Sequence, residues 1–370
     1  MAAPAAGRPG DRSALRGPPS GNTATAEYRY GADIDPRTFD ADEFARLLVG
    51  DAHEVLGGPD GALVLVRGDV ADLGPRDRSA LAERLTTLAA VIVALVGTED
   101  EAARPPAWCD VALTAEDPLL DHLVDQVSRH PLAATAMAVL LRGAPTSGGV
   151  AAGLVAESVT YGLLQAGPEF ECWRAGRAVI DRPSTDAPFV LVERDESVLR
   201  LTLNRPQVHN AFNAKMRDQL IEGLDVALLD PSVTAVHLDG AGPSFCSGGD
   251  LDEFGSRPDP VTAHLVRLTR NVGRTIAAIA DRVTVHLHGA AFGAGIELAA
   301  FADHVVAAAD TRMALPEIGL GLIPGAGGTV SLPRRIGRHR TALLALSAQA
   351  IDAPTALAWG LVDEVSPPAG

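Results

Sequence analysis

The most informative stretch of this sequence is GAAFGAGIELAAFADH, residues 289–304. Gly293, Ala294 and Gly295 precede an apolar run whose composition predicts a buried helix. Glu297 lies inside that run, and no lysine or arginine stands within several residues of it. A buried carboxylate without a cationic partner is costly, and proteins usually avoid it unless chemistry requires it. Glu297 is therefore a candidate catalytic residue.

Strand-like and helix-like segments alternate on both sides of this stretch. The segment 189–206 predicts two strands joined by a turn, and the segments 283–291 and 304–311 each predict one more. One long helix is predicted over 263–282 and another over 213–230. Strands that alternate with helices predict an α/β fold with a largely parallel sheet. Repeated ββα units of this kind also fit a coiled, stacked sheet.

The chain before the linker has its own pattern of strands and helices. The segments 61–70 and 90–97 predict buried strands around an amphipathic helix, which is a small βαβ unit that 109–117 would complete. Two helical stretches follow, 117–143 and 149–176. We therefore expect a disordered tail, a mixed α/β and helical domain, and a core domain, with bounds at 1–26, 27–180 and 189–370.

Composition and charge argue against several classes of protein. The net charge of −16 disfavours a nucleic-acid partner or an anionic membrane partner, and no apolar run is long enough to predict a membrane span. The three cysteines are far apart and odd in number, which favours a reducing cytoplasm over a structural zinc site. The histidines show no metal-binding spacing, so no metal site is expected.

Two glycine-rich loops are candidate anion sites. Gly249 lies in the loop SGGD (247–250) after a predicted strand, and Ala294 lies at the predicted start of a helix. Two backbone N–H groups from such loops, facing one point, could hold an oxyanion. For either loop alone, ordinary turn and packing glycines are the competing interpretation.

A second carboxylate, Glu317, lies in the apolar segment 313–328 (MALPEIGLGLIPGAGG), twenty residues after Glu297. Two such carboxylates suit acid–base chemistry, because burial raises the pKa of at least one and lets one donate while the other accepts. A pair of solvated edge residues is the competing interpretation. Cys246 has no nearby histidine to activate it and is interpreted as a packing residue.

Taken together, these motifs resemble the crotonase (enoyl-CoA hydratase/isomerase) superfamily. The resemblance covers about half of the chain and runs in order through LTLNRPQVHNAFNAKM (201–216), GAGPSFCSGGDLDEF (240–254), the long segment 288–337 and AIDAPTALAWGLVDEV (350–365). It implies a coiled ββα spiral that binds an acyl-CoA thioester and stabilises its enolate.

The resemblance also implies roles for individual residues. The N–H groups of Gly249 and Ala294 would hold the thioester oxygen, and Glu297 and Glu317 would hold one water molecule between them. Coenzyme A would be part of the substrate and not a separate cofactor. Its expected contacts are Val208, His209, Ser247, Gly248, Asp250, Leu251 and Gly293. A homo-oligomer, either a trimer or a hexamer, is also implied.

The first part of the chain departs from the superfamily's pattern. Residues 117–175 look like the helical module that members usually carry after the core. We expect the region 27–180 to be a degenerate crotonase-like unit whose helices pack on the core or on a neighbouring subunit. A long first part before such a core is also similar to the (3,5-dihydroxyphenyl)acetyl-CoA dioxygenase, which makes a carbanion in the same oxyanion hole and needs no cofactor.

The favoured function is syn addition of water to a 2-enoyl-CoA, or the reverse reaction. Isomerisation and cofactor-independent oxygenation of an aryl-acetyl-CoA stay open as alternatives, because all of them use the oxyanion hole. A non-catalytic assembly protein is the alternative of another class, and the intact glutamates and loops argue against it. The acyl pocket is expected to be apolar and to be lined by Phe212, Phe254, Leu315 and Leu322.

Overall fold

The computed structural model describes residues 36–49, 56, 61–68, 75–143, 149–178, 180, 186–256 and 259–368. The tail predicted over 1–26 lies outside these ranges, and so does most of the predicted linker. None of the helices in the described ranges is long and apolar enough to cross a membrane.

The first part contains a four-stranded parallel sheet whose strands lie in chain order. Its elements are β1 (Arg37–Asp40), α1 (Ala41–Val49), β2 (Leu63–Arg67), α2 (Pro75–Thr87), β3 (Val91–Val96), α3 (Glu99–Ala102) and β4 (Val111–Thr114). The inner strands β2 and β3 each begin with four consecutive buried residues, as expected of parallel strands that are covered on both faces. The predicted βαβ unit is confirmed, and β1 adds a strand that the sequence did not predict.

Four helices follow the sheet: α4 (Pro118–Arg129), α5 (Pro131–Gly143), α6 (Gly149–Gln165) and α7 (Pro168–Ala175). The sequence predicted only two helical stretches, because the helical pattern continues across each break. Pro131 lacks the N–H that would continue a helix, and it disfavours helical backbone at the residue before it. Pro168, which follows Gly167, ends the other stretch for the same reason.

The second part is built on two sheets, and the chain passes back and forth between them. Its elements are β5 (Val190–Asp195), β6 (Val198–Leu203), α8 (Ala214–Leu229), β7 (Ala235–Gly240), α9 (Pro260–Thr269), α10 (Val272–Ala278), β8 (Val283–Leu287), β9 (Ala290–Phe292), α11 (Ala294–Ala299), β10 (His304–Ala308), β11 (Arg312–Ala314), α12 (Gly328–Ser347), β12 (Ile351–Asp352), α13 (Ala353–Trp359) and β13 (Glu364–Ser366).

The order of the strands confirms the predicted α/β class and the coiled ββα spiral. One sheet has the order β13-β10-β8-β7-β6-β5, in which the β5–β6 hairpin is antiparallel and the other pairs are parallel. The other sheet has the order β12-β11-β9. Because the larger sheet keeps the chain order of its strands, each turn of the chain advances the coil by one strand.

The prediction of one continuous helix over 263–282 is wrong. The structure has two helices, α9 and α10, which are separated at Arg270 and Asn271. The side chain of Asn271 accepts a hydrogen bond from the N–H of Arg274 (2.8 Å) and so caps the start of the second helix. The break lets α9 pack along α6 while α10 packs on α8.

The helices of the first part pack on the second part, as expected for residues 117–175. Helices α4, α5 and α6 all contact α12, and buried side chains from both parts form one continuous apolar core. Within the first part, a buried ion pair joins Arg142 to Asp110. Next to it, Arg338 of α12 connects the two parts by donating to the carbonyl of Cys109 (3.0 Å). That the first part is a degenerate copy of the second stays a prediction.

Candidate active site

A cavity of about 1000 Å³ lies between the two parts of the chain. Helices α6 and α7 of the first part supply one wall, and the second part supplies the rest. The lining residues include Tyr161, Gln165, Phe170, Phe212, Gly249, Phe254, Arg267, Ala294, Glu297 and Glu317. All four positions that the resemblance marks as catalytic therefore line the same cavity, whose volume suits a small-molecule ligand.

The amides of Gly249 and Ala294 lie on neighbouring loops. An isolated bridge between Cys246 and Ala291 holds these loops side by side, and the Phe292 N–H donates to the Cys246 carbonyl (2.9 Å). In the described part of the chain, no acceptor is bonded to the N–H of Gly249 or Ala294. The structure thus brings the two predicted donors to one cavity and leaves both available to a negatively charged oxygen.

Gly249 and Gly293 bring the backbone of these loops close to side chains of the site. Gly293 has a φ of +47°, and a Cβ atom there would lie 2.3 Å from Glu317 Oε1. A Cβ atom on Gly249 would lie 2.6 Å from the Phe254 ring. Real Cβ atoms do not make contacts this short, so the two glycines allow the loop backbone to approach the side chains of the site.

Glu297 lies on the first turn of α11, and only 2% of it is exposed. Its Oε2 atom accepts hydrogen bonds from the N–H groups of Ala326 (2.7 Å) and Gly328 (2.8 Å). No described lysine or arginine forms an ion pair with it. Burial raises the pKa of Glu297 and outweighs the two amide bonds, which lower it. A raised pKa allows this carboxyl group to exchange a proton near neutral pH.

Glu317 lies in the 3₁₀ turn Glu317–Leu320, and its side chain is buried as well. This excludes the competing interpretation of a solvated edge residue. Its Oε2 atom is buried and has no hydrogen-bond partner among the described residues. Burial, and then the charge of Glu297, raise the pKa of Glu317 well above its ordinary value. A buried carboxyl group with an unsatisfied oxygen at a cavity wall is suited to proton exchange with a ligand.

A third buried carboxylate, Glu157 of α6, comes from the first part and was not predicted. Its Oε1 atom accepts from the Gly327 N–H (2.8 Å), and its Oε2 atom accepts from the N–H (3.0 Å) and the hydroxyl (2.7 Å) of Thr329. Burial, and then the charge of Glu297, raise the pKa of Glu157. The signal that marked Glu297 could have found it, since Glu157 is also a lone acid in an apolar helical run.

Six of the seven residues predicted to contact coenzyme A lie on two connected loops, and Gly293 lies on a third segment. The Ser247 N–H donates to the His209 carbonyl (2.9 Å), and the Ser247 hydroxyl donates to the Val208 carbonyl (3.4 Å). Asp250 lines the cavity, but its carboxylate is held in a buried ion pair with Arg205 (2.9 Å). The other six predicted residues, Val208, His209, Ser247, Gly248, Leu251 and Gly293, are not among the described residues that line the cavity. Contact with coenzyme A therefore stays a prediction.

The prediction for the apolar lining is confirmed for two residues and wrong for two. Phe212 and Phe254 line the cavity. Leu315 and Leu322 are fully buried in the core, because the turn between them presents Glu317 to the cavity and leaves its flanking leucines in the interior. Burial raises the pKa of the Cys246 thiol to about 12, in keeping with a packing role.

An aromatic–arginine pair at the cavity wall was also missed. Tyr161 of α6 packs its ring on the backbone of Gly325, and the guanidinium of Arg267, on α9, lies 4.7 Å from the centre of that ring. Arg267 Nε donates to the Ser158 hydroxyl (2.9 Å), and Nη1 donates to Gln165 Oε1 (3.2 Å). No local motif marks these residues, because the contacts join two distant parts of the sequence.

Residues 193–370 match the protein-family model described as enoyl-CoA hydratase/isomerase. Among curated proteins, the chain is 37% identical over 178 residues to the 2,3-dehydroadipyl-CoA hydratase of Escherichia coli (strain K12), a match that covers 48% of this chain and 69% of that relative. It is also 37% identical over 182 residues to the 1,2-epoxyphenylacetyl-CoA isomerase of the same organism, with 48% and 69% covered. Among solved structures, it is similar to an enoyl-CoA hydratase from Thermoplasma volcanium GSS1, with 34% identity, a TM-score of 0.46, and 49% of this chain and 72% of that chain covered.

Proposed function

This chain belongs to the enoyl-CoA hydratase/isomerase family, and we propose that it is a hydratase that adds water to a 2-enoyl-CoA thioester or removes it again. One observation carries the proposal: two buried carboxyl groups, Glu297 and Glu317, line one cavity together with two amides that have no acceptor in the described chain. Family membership supports chemistry on an acyl-CoA, and the pair of carboxyl groups favours hydration.

In the proposed reaction, the N–H groups of Gly249 and Ala294 hold the thioester oxygen while negative charge develops on it. The oxygen of the water molecule forms a bond to Cβ, a carboxylate takes one proton from that water, and a carboxyl group gives a proton to Cα. The thioester carbonyl is restored as the enolate collapses. The two N–H dipoles are already aligned before the reaction, so they stabilise the enolate without reorganisation.

The surroundings of the two carboxyl groups support a division of roles. Glu297 accepts two amide hydrogen bonds, which stabilise its ionised form, so it removes the proton from water. Glu317 is buried with one oxygen unsatisfied, which favours its protonated form, so it supplies the proton to Cα. Because the two charges act on each other, the titration belongs to the pair. In the dehydration direction the roles are exchanged.

Replacement of either carboxyl group tests this mechanism. Glu297→Gln and Glu317→Gln are each expected to lower the turnover of a 2-enoyl-CoA by at least about a hundredfold while the thioester still binds. Glu169→Gln is a matched control, since Glu169 is also buried and accepts two amides, from Leu132 (2.7 Å) and Ala133 (3.0 Å), but is not among the cavity-lining residues. Near-normal rates in both cavity variants would rule out the two-carboxyl mechanism.

A panel of thioesters separates hydration from the alternative reactions. The purified protein is incubated with enoyl-CoA and aryl-acetyl-CoA thioesters, and loss of the conjugated enoyl absorbance together with a gain in mass of one water molecule reports hydration. Migration of the double bond reports isomerisation, and uptake of O₂ reports oxygenation. We expect hydration to be the main reaction. If no thioester changes, the assembly protein without catalytic activity becomes the better interpretation.

We also propose that the chain forms a homo-oligomer, a trimer or a hexamer. Val155, Val159 and Leu163 recur every four residues along one face of α6 and are at least 45% exposed. Val261 and Leu265 of α9, the helix that packs along α6, are exposed as well. An apolar surface of this kind is typical of a protein interface. Light scattering on the purified chain measures the assembly, and a monomeric mass would contradict it.

A further inference from the structure

Arg267 places a positive charge in the cavity wall, and no described carboxylate forms an ion pair with it. Its guanidinium donates to neutral acceptors, namely the Ser158 hydroxyl (2.9 Å), the Ser158 carbonyl (3.3 Å) and the Gln165 amide oxygen (3.2 Å). Three other described arginines line the same cavity: Arg217 and Arg270 both pair with Asp218 (2.8 and 3.7 Å), and Arg174 donates to the carbonyl of Arg177 (3.5 Å). Arg267 therefore differs from Arg217 and Arg270 in that no described carboxylate lies within ion-pair distance of it.

This uncompensated charge is costly where it lies. Burial lowers the pKa of Arg267, which is the direction that disfavours the cation. The charge of Glu157 acts in the opposite sense, but the carboxylate of Glu157 is bonded to Gly327 and Thr329 and forms no ion pair with Arg267. Neutral acceptors satisfy the N–H groups without cancelling the charge, so an anion is still missing.

The position of Arg267 relates it to the acyl end of a bound thioester. Its guanidinium stacks on the ring of Tyr161, and the same ring packs on the backbone of Gly325. The next residue in the chain, Ala326, donates to Glu297. The ring of Tyr161 therefore lies between Arg267 and the segment whose amides bind Glu297. Of the seven residues predicted to contact coenzyme A, only Asp250 is among the described residues that line the cavity with Arg267.

We propose, building on the proposed function, that Arg267 binds a carboxylate at the far end of the acyl group. The substrates are then coenzyme A thioesters of dicarboxylic acids. A carboxylate accepts two parallel N–H···O bonds from a guanidinium and supplies the missing negative charge. A neutral hydroxyl accepts one bond and leaves the charge uncompensated, which is why a carboxylate is favoured over a phenol at this position.

Binding of saturated thioesters tests this inference without any turnover. Adipyl-CoA and hexanoyl-CoA differ only at the end of the acyl chain, and the glutaryl/pentanoyl and succinyl/butanoyl pairs extend the comparison to shorter chains. For at least one length, calorimetry is expected to show the dicarboxylic thioester bound about tenfold or more tightly, the effect of one charge-assisted hydrogen bond. Arg267→Met is expected to abolish that preference.

Arg274→Met is the matched control, because Arg274 is an exposed arginine that donates to the neutral carbonyl of Leu268 (3.2 Å) and does not line the cavity. It should keep the preference. A preference that is retained while hydration fails would overturn the proposed function alone. Normal hydration without any preference, at all three lengths, would overturn the inference about Arg267 alone.

A phosphate of coenzyme A is another anion that an arginine can bind, and pantetheine thioesters of the same acids separate the two sources. A preference that persists without the nucleotide and disappears in Arg267→Met supports the acyl carboxylate. The proposal would be overturned if Arg267→Met weakened the binding of both coenzyme A thioesters equally and did not change the binding of the pantetheine thioesters. Arg267-dependent binding of a hydroxyphenylacetyl thioester that is tighter than that of every dicarboxylic thioester tested would also overturn it.

Arg267 also joins α9 to α6 through Ser158, so thermal unfolding is measured for each variant. If Arg267→Met does not fold, Arg267→Lys provides the test, since lysine keeps the charge but not the paired N–H geometry. The lysine variant is expected to keep part of the preference for the dicarboxylic thioester. An unchanged affinity ratio in a folded Arg267→Gln variant would overturn the inference.

Discussion

Glu157 and Glu297 bind alternate amides of one short segment, residues 326–329. Glu297 accepts the N–H groups of the first and third residues, and Glu157 accepts those of the second and fourth. The segment leads into α12, so its amides have no acceptors within that helix. Two carboxylates from different parts of the chain therefore satisfy four consecutive amides between them and hold the segment from both sides.

Loss of one of these carboxylates is predicted to disturb the other. In Glu157→Gln, the side-chain NH₂ group faces amide donors and weakens the hold on residues 326–329, so Glu297 is less well placed. Turnover of the thioester is expected to fall about tenfold, with its affinity changed by no more than about twofold. Hydrogen exchange at residues 326–329 should be faster in the variant, and this measurement does not depend on activity.

Glu169→Gln serves as the control for this variant too, because it removes a buried glutamate that binds amides at the start of α5 instead. It should lower stability without changing turnover or the exchange of residues 326–329. If the two variants lose turnover equally, Glu157 contributes only to general stability and does not position Glu297.

Stability is predicted to fall as the pH rises above 4.5, the ordinary pKa of a glutamate. Burial raises the pKa of Glu157, Glu297 and Glu317 in the folded chain, so the folded state keeps protons that the unfolded state releases. The free energy of unfolding then decreases with pH. The contribution of these groups is complete below pH 4.5 and is lost as the pH passes through their raised pKa values.

Glu317→Gln should make this pH dependence shallower, because it removes the carboxyl group that has an unsatisfied buried oxygen. Urea unfolding at several points between about pH 5 and about pH 8 measures the slope for both chains. A slope in Glu317→Gln equal to that of the unmodified chain would show that Glu317 does not stay protonated across this range.

Gly293→Ala is predicted to displace Glu317. The new Cβ atom would lie 2.3 Å from Glu317 Oε1, and the φ of +47° also disfavours alanine. Gly337→Ala separates these effects, since Gly337 has a φ of +77° but a Cβ atom added there would meet no described atom within 4 Å. Turnover should drop at least about tenfold in Gly293→Ala, whereas Gly337→Ala should lose only stability. Equal turnover in the two variants would contradict the clash with Glu317.

The residues of the site that could be predicted are those in local motifs. Gly249, Ala294, Glu297 and Glu317 each follow a strand or begin a helix, so their surroundings can be inferred from a few neighbours in sequence. Glu157 could not be placed in the same way. Its partners are the amides of Gly327 and Thr329, and only the packing of α6 on α12 brings them together.

The same limit explains the errors in the fold. Strands β2 to β8 and β10 were predicted because continuous apolar runs and alternation are local signals, whereas β1 and the short strands β11, β12 and β13 were not. The break at Asn271 was missed because the apolar pattern continues through it, and the side-chain cap is the only cue. Leu315 and Leu322 were assigned to the cavity from their place beside Glu317, but the direction of a side chain at a turn depends on tertiary packing.

Helix α6 supplies Glu157, which binds two amides of the segment 326–329, and Tyr161, which lines the cavity one turn further along. A one-residue insertion in the helix before Glu157 would rotate both side chains by about 100° about the helix axis, away from their partners in the second part. The contacts between the two parts therefore depend on the orientation of α6 about its own axis. A relative's equivalent of either part would have to present the same helix orientation to keep both contacts.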